Sequence, residues 1–362
     1  MTHYFFVLYT SLLGCSEPKD HAVEMEKKCV PGTFNRVQTS SLSTENFSNF
    51  HSMGYIGDPF VLRNGNGYEM WLSGYDTTTQ QLGIAHTHSN DGILWEDTLS
   101  TESGITLAFA PSGWDRNGIE MANVIEEENG FRLFYASFDD QNVFSIGTAT
   151  SADGHTWSRE GDGPVLVPEL EWEQPFLVGE SYFGGVLEPS VLFENDVYRM
   201  WYSGWGEYEG RWGHFIGYAE SDDAQTWTKE SSPVFLPEPD AWDDAVVTQA
   251  HVVPDPVEGY HLFYMGQSES DRAFCNQNEC AANYAIGHIG HAYSVDGFTW
   301  TRNPNNPILS PKDGQWDAWM TYGPTAIIQD NEVWLWYFAL AEYNEYNAGI
   351  GLAKTTCSSI ED

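Results

Sequence analysis

The sequence predicts an all-β fold, a five-bladed β-propeller with four-stranded antiparallel blades. Two observations carry this prediction: one strand motif recurs five times, and a turn that ends in tryptophan follows four of the five copies. The composition agrees, because 15 Trp, 19 Tyr, 20 Phe and 34 Gly suit short strands joined by tight turns.

The recurring motif is the second strand of each predicted blade. Its copies are YEMWLSG from Tyr68, FRLFYAS from Phe131, YRMWYSG from Tyr198, YHLFYMG from Tyr260 and VWLWYFA from Val333. Each copy follows a short apolar strand and a turn, and precedes a third strand such as IGYAES or IGHAYS. Alternation along these strands indicates sheet, and self-similarity at a long period indicates a closed or stacked repeat. Five units of four strands make a five-bladed propeller.

The turn after the third strand reads SNDGILW, SADGHTW, SDDAQTW and SVDGFTW. We interpret its tryptophans as packing between blades and its aspartates as turn residues that accept backbone N–H groups. The tryptophans are Trp95, Trp157, Trp227 and Trp300. The last repeat lacks this turn, so we expect the segment after Cys29 to supply its outer strand and close the ring. A second recurring element is a Trp-Asp pair before the inner strand, with scaffold carboxylates predicted at Asp115, Asp243 and Asp317.

The ends of the chain suggest export. Residues 1–15 are predicted to be a lipoprotein-type signal peptide, because LLGC, Leu12 to Cys15, resembles a lipobox. Residues 16–32 would form a linker, and residues 33–362 the propeller domain. We therefore expect a protein of the cell envelope or a secreted one, which touches a membrane only through a lipid on Cys15. The other cysteines are expected to pair as Cys29–Cys357 and Cys275–Cys280, and the alternative is four free thiols in a cytosolic protein.

The charge restricts the partners. Lys and Arg total 15 against 53 Asp and Glu, a formal net charge of −38. Such a surface repels phosphate backbones, so nucleic acid is excluded as a partner.

One position in the inner strands differs chemically from blade to blade. Counting back thirteen residues from the second-strand aromatic gives the column Asp58, Met121, Glu188, Ala250 and Gly323. Glu120 lies one residue before this column. The column is predicted to ring one mouth of the channel, where Asp58, Glu120 and Glu188 would converge. Because other blades use Met, Ala or Gly there, the scaffold does not require an acid.

Paired carboxylates across a pocket suit cleavage of a glycosidic bond. One protonates the leaving oxygen, and the other activates water or attacks carbon. A third acid nearby would raise the proton affinity of the donor through repulsion between like charges. The alternatives are that these acids cap turns or bind calcium.

The motifs GDPFV around Asp58 and LEPSV around Glu188 resemble those of five-bladed glycoside hydrolases of the furanosidase type, families 43, 32 and 68 and their relatives. The resemblance implies that Asp58 is the base or nucleophile and Glu188 the general acid. Glu120 would replace the second-blade aspartate that tunes the acid, with Asp115 as a weaker candidate and Glu180 as a rival acid. The segment TQAHVV resembles one that brings a histidine to the axis, here His251.

The predicted function is hydrolysis of a neutral glycan, with a furanose end as one option. The alternatives are a glycoside phosphorylase of the related five-bladed kind and a non-catalytic glycan-binding propeller. Predicted substrate contacts are Trp114, Arg116, Tyr182, Trp205, His251 and Tyr322. No cofactor is expected to be required, and a structural calcium ion at the channel axis stays open as an option.

Overall fold

The structure is a computed structural model that describes residues 29–37, 42–43, 53–65, 67–95, 104–178, 181–271, 286–341 and 348–358. Three predictions fall outside these residues: the signal peptide with Cys15, the Cys275–Cys280 pair and the rival acid Glu180. In the described part of the chain, no helix is both long and apolar enough to cross a membrane.

The described strands form five radial blades. The N-terminal strands are β1 (Val30–Pro31), β2 (Asn35–Arg36) and β3 (Leu42–Ser43). Blade one contains β4 (Met53–Asn64), β5 (Gly67–Asp76), β6 (Gln81–Ser89) and β7 (Ile105–Ala108). Blade two contains β8 (Ile119–Glu127), β9 (Gly130–Phe138), β10 (Val143–Ser151) and β11 (Ser158–Arg159). Blade three contains β12 (Phe176–Val178), β13 (Ser181–Glu194), β14 (Val197–Tyr208), β15 (Arg211–Ser221) and β16 (Thr228–Lys229). Blade four contains β17 (Val246–Pro254), β18 (Tyr260–Gln267), β19 (His288–Ser294) and β20 (Thr301–Arg302). Blade five contains β21 (Met320–Gln329), β22 (Glu332–Leu340) and β23 (Ala348–Ser358).

Within each blade, consecutive strands are antiparallel, and β4, β8, β13, β17 and β21 are the inner strands that line the central channel. The predicted all-β propeller with five blades is therefore confirmed.

The N-terminal segment completes the fifth blade. Strands β1, β2 and β3 all pair antiparallel with β23, the last strand of the chain. Cys29 and Cys357 are joined by a disulfide, with their Cα atoms 4.7 Å apart. Both the ring closure and this disulfide were predicted from the sequence, and both are confirmed.

The recurring tryptophans pack between blades, as predicted. Trp157 of blade two meets Trp71 of blade one edge to face, with ring centroids 6.5 Å apart. Trp300 of blade four meets Trp201 of blade three in the same way at 6.4 Å. The indole N–H of Trp71 donates to the carbonyl of Gly154 in the neighbouring turn at 2.9 Å. The aspartates of these turns accept backbone N–H groups, as Asp153 does from residues 155 and 156.

The Trp-Asp element is part of the scaffold. In blade two, Trp114 stacks on Tyr135 with centroids 5.7 Å apart, and Asp115 accepts hydrogen bonds from Tyr135 and from Arg159 on the outer strand. The same arrangement recurs around Asp243 and around Asp317, whose outer-strand cation is Arg36 of the N-terminal segment. Each cluster ties an outer strand to the segment that leads into the inner strand, and so fixes where the inner strand begins.

Candidate active site

All five inner strands carry a β-bulge at the same level of the channel. The first residue of each bulge has a positive φ: Asp58 45°, Met121 60°, Glu188 56°, Gln249 52° and Gly323 52°. For a residue other than glycine this conformation costs about 1–3 kcal/mol. Four blades nevertheless keep a side chain where glycine would be less strained, which indicates that the side chains are used.

The column predicted from the sequence is wrong in blade four. The structure places Gln249 at the bulge, where counting back thirteen residues leads to Ala250. The reason is the hairpin between β17 and β18, in which His251 pairs with Phe263, whereas in blade three Ser190 pairs with Trp201. The blade-four hairpin is thus one residue longer, and a fixed count from the second strand misses by one.

Glu188 is held by hydrogen bonds inside the protein. Only 5% of its surface is exposed. Its Oε2 accepts the hydroxyl of Thr248 and the backbone N–H of Gln249, the latter at 2.8 Å. Burial raises the pKa of Glu188 to about 7, against the opposing effect of hydrogen bonds from Ser203, Thr248 and Gln249, and the charge of Asp58 adds to the increase.

Asp58 faces Glu188 from blade one, and both line the same cavity. Burial raises the pKa of Asp58 to about 6, while hydrogen bonds from Ser73, Tyr55 and Gln249 oppose the increase. Beside it, Gly323 has no side chain, and a Cβ there would lie 3.5 Å from the Asp58 Cα. The fifth blade therefore leaves open space next to this carboxylate.

Glu120 is the third acid of the group and the one with the highest proton affinity. Burial raises its pKa to about 8, and the charges of Asp58 and Glu188 add to the increase. Among the described residues, nothing is hydrogen-bonded to its carboxyl group. It precedes the bulge of β8 and is absent from the residues that line the cavity between Asp58 and Glu188.

Two serines support the two acids in the same way. Ser73 of β5 hydrogen-bonds to Asp58, and its Oγ accepts the backbone N–H of Met121 in the next blade at 2.9 Å. Ser203 of β14 hydrogen-bonds to Glu188, and its Oγ accepts the backbone N–H of Gln249 at 3.1 Å. The signal was in the repeats: the second strands of blades one and three read WLSG and WYSG, whereas the equivalent residues elsewhere are Ala, Met and Phe. Sequence reasoning missed it.

The described residues that line the cavity include no Lys or Arg; they are Asp58, Pro59, Phe60, Met121, Ala122, Glu188, Pro189, Gln249, Ala250, His251, Gly323 and Pro324. His251 contacts Phe60, with ring centroids 5.6 Å apart, and its Nε2 lies 3.1 Å from the Ala326 carbonyl oxygen, to which it donates. Burial lowers the pKa of His251 to about 4, so its ring is neutral at physiological pH.

The other predicted contact residues are spread over the same end of the propeller. Trp205 is buried, stacks on His214 with centroids 4.1 Å apart, and donates its indole N–H to Thr248 at 3.3 Å. Tyr182 is 43% exposed at the start of β13. Arg116 pairs with Asp140, and Trp114 packs within the scaffold cluster described above. Tyr322 lies beside Met320 and Phe338. Substrate contact by these residues stays a prediction.

The sequence leaves metal binding open. No group of three or more His, Cys, Asp or Glu among the described residues is arranged to hold a metal ion. A calcium ion at the axis therefore stays an option that rests on the sequence alone.

Comparisons by sequence give distant relatives. No protein-family profile matches the chain. A protein of Mycobacterium tuberculosis described only as uncharacterized is 25% identical over 218 residues, which cover 58% of this chain and 63% of that protein. The match thus spans less than two thirds of that relative's length. A β-1,2-mannobiose phosphorylase of a Thermoanaerobacter species is 33% identical over 129 residues, covering 32% of this chain and 38% of the phosphorylase.

Comparisons of structure find the same fold in glycan-active enzymes. A solved glycoside hydrolase has a TM-score of 0.64 at 19% identity, covering 92% of this chain and 93% of that one. A thermostable family-43 glycoside hydrolase has a TM-score of 0.62 at 16% identity, covering 88% and 91%. The β-1,2-mannobiose phosphorylase of Listeria innocua has a TM-score of 0.61 at 14% identity, covering 84% and 90%. The predicted resemblance to propeller glycoside hydrolases is confirmed at the level of the fold.

Proposed function

We propose that this protein is a glycoside hydrolase that cleaves a neutral glycan, with Glu188 as the general acid and Asp58 as the base or nucleophile. The observation that carries the proposal is the pair itself: two carboxylates from different blades line one cavity and are ordered in proton affinity. Glycosidic cleavage needs one carboxyl protonated and the other ionised at the same pH.

The division of roles follows from the surroundings. With pKa values of about 6 for Asp58 and about 7 for Glu188, the ionised Asp58 and the protonated Glu188 coexist near pH 6.5. Asp58 has the lower pKa of the two, so it is the more ionised group at any given pH, which suits a base or nucleophile. Glu188 reaches the cavity and has an apolar neighbour on each side along β13, Leu187 and Pro189, which suits a proton donor.

Glu120 supports the pair without taking part in proton transfer. Its pKa of about 8 keeps it neutral in the working range. A neutral carboxyl group adds no charge that would drive Asp58 to protonate.

The charges around the cavity favour an uncharged glycan as the substrate and water, not phosphate, as the acceptor of the sugar. The two acids in the cavity, with Glu120 nearby, and the lack of Lys or Arg among the described lining residues disfavour an anionic sugar or inorganic phosphate. The net charge of −38 also repels anionic substrates at long range.

Phosphorolysis is the second candidate. It is favoured by the 33% identity to a β-1,2-mannobiose phosphorylase over 129 residues. In that case the cations that hold phosphate would come from residues beyond those that line the cavity, such as Arg116.

The test is a screen of nitrophenyl furanosides and mannosides, followed by glycans, with and without inorganic phosphate. Hydrolysis predicts free sugar at a rate that phosphate does not increase, and phosphorolysis predicts a sugar phosphate only when phosphate is present. Asp58→Asn should abolish turnover, while Glu126→Gln, an exposed acid at the far end of β8, should not change it. Full activity of Asp58→Asn would refute the proposal.

A further inference from the structure

Gln249 is the one polar, uncharged residue in the column of bulge residues. It is buried, with 6% of its surface exposed, and lies in the left-handed region at φ 52°. Glycine would relieve the strain at this position, as it does at the equivalent Gly323. The side chain of Gln249 must therefore contribute something that offsets the strain.

Four hydrogen bonds connect Gln249 to its surroundings in the described part of the chain, and one of them is the bond from its backbone N–H to Oγ of Ser203 at 3.1 Å. Its backbone N–H donates to Oε2 of Glu188 at 2.8 Å. Its side-chain Nε2 donates to Oδ1 of Asp58 at 3.2 Å. Its Oε1 accepts the backbone N–H of Gly323 at 2.7 Å. One residue of blade four thus contacts blades one, three and five at the level of the acids.

The orientation of the amide is fixed by its partners. The backbone N–H of Gly323 can only donate, so the oxygen of the Gln249 amide must face it, and the NH₂ group must face Asp58. The flipped amide would direct its oxygen at a carboxylate and its NH₂ at another donor. The side chain therefore presents a donor to Asp58 in this structure.

We propose that Gln249 is the positioning residue of this site: its side chain holds Asp58 ionised and in place, and its backbone N–H holds Glu188 at the same time. This role in catalysis rests on the proposed function, whereas the link to Asp58 is a property of the protein without substrate. Because one residue contacts both acids, a change in the Gln249 side chain acts on Asp58 directly and leaves the donor to Glu188, a backbone group, in place.

Other groups around Asp58 also influence its charge. Tyr55 on its own strand and Ser73 on β5 donate to it, and its charge raises the pKa of both Glu120 and Glu188. His251 of β17 lines the same cavity and is neutral, and β21 contributes only Gly323 and Pro324. None of these contacts is removed by changing Gln249, so its effect can be measured separately.

The experiment compares Gln249→Met, which has similar length but no donor, with the matched control Gln329→Met. Gln329 is similarly buried at the far end of β21 and donates to the Tyr68 hydroxyl at 2.7 Å. The carboxyl titration of Asp58 is followed by ¹³C NMR without substrate, with Asp58→Asn to assign the signal. Gln249→Met should raise the Asp58 pKa by about one unit, a tenfold loss of the ionised form on the acid side. Gln329→Met should not change it.

Activity then tests the catalytic part. In Gln249→Met the acid limb of the kcat/KM profile should move to higher pH by the same amount. Gln249→Glu supplies a carboxyl that donates to Asp58 only when protonated, so the alkaline limb of its profile should move to lower pH than in wild type, and this variant also serves if Gln249→Met fails to fold. An unchanged Asp58 titration in a folded variant would overturn the inference whatever the activity. A shifted titration in a protein that hydrolyses no glycoside would overturn the proposed function and the catalytic role, and leave the link to Asp58.

Discussion

Replacing Glu120 with Gln should stabilise the protein at alkaline pH. The carboxyl pKa of Glu120 is raised from 4.5 to about 8, so the folded protein favours its neutral form more than the unfolded chain does. The stability that this group contributes is fully present below about pH 4.5 and is lost as pH rises through about 8. Glutamine has the shape of the protonated acid and does not ionise, so the variant avoids this loss.

The magnitude follows from the shift. One pKa unit corresponds to about 1.4 kcal/mol, so a shift from 4.5 to about 8 corresponds to about 5 kcal/mol at most. Glu120 is partly exposed, and its charged neighbours Asp58 and Glu188 titrate in the same range, so we expect about 2–3 kcal/mol. For a chain of 362 residues this is an increase of about 3–4 °C in Tm.

The assay is thermal and denaturant unfolding of Glu120→Gln and wild type at about pH 5 and about pH 9. The increase in the free energy of unfolding should be near zero at the lower pH and should reach its full value at the higher pH. Glu126→Gln, an exposed acid on the same strand β8, is the matched control and should show little change at either pH. A gain that is equal at both pH values, or a loss at the higher pH, would refute the assignment of Glu120 as a carboxyl group held neutral by the site.

Three further predictions concern the ring closure and the acids. Removing the Cys29–Cys357 disulfide by a double change to Ser should lower the free energy of unfolding by about 4–6 kcal/mol in urea, because the bond spans 328 residues; a loss below about 1 kcal/mol would contradict this. The kcat/KM profile should be bell-shaped with apparent pKa values near 6 and 7, and a flat profile across this range would count against the pair. Ser203→Ala should move the alkaline limb to higher pH, because it removes a donor to ionised Glu188, and Ser137→Ala, whose hydroxyl donates to the Gly118 carbonyl, should not.

The fold could be predicted because its signals are local and repeated. The aromatic second strands and the Ser-Asp-Trp turns recur with little variation, so each blade supports the assignment of the others. The closure of the ring by β1 to β3 followed from one missing turn in the last repeat, and the Cys29–Cys357 pair agreed with it. Most of the architecture could therefore be predicted from the sequence repeats.

The sequence identified residues of the site only where some blades have an acid and the other blades have an uncharged residue at the same position. Asp58 and Glu188 differ from the Met and Gly of other blades, which is why the sequence singled them out. Gln249 was missed because the blade-four hairpin has one more residue than the others. Counting back a fixed number of residues from the second strand assumes hairpins of equal length. Trp114 shows a second limit of the sequence. The sequence alone does not distinguish a tryptophan that packs on Tyr135 in the scaffold, as Trp114 does, from one that stacks on a sugar.

The most direct test of the central claim is the dependence of the Glu188→Gln variant on the leaving group. General acid catalysis contributes about 10²–10⁴-fold when the departing oxygen must be protonated. Glu188→Gln should therefore slow cleavage of an unactivated glycoside at least ~10²-fold and leave cleavage of a dinitrophenyl glycoside much less affected, because that leaving group departs without a proton. Equal slowing of both substrates, or no slowing of either, would contradict Glu188 as the proton donor.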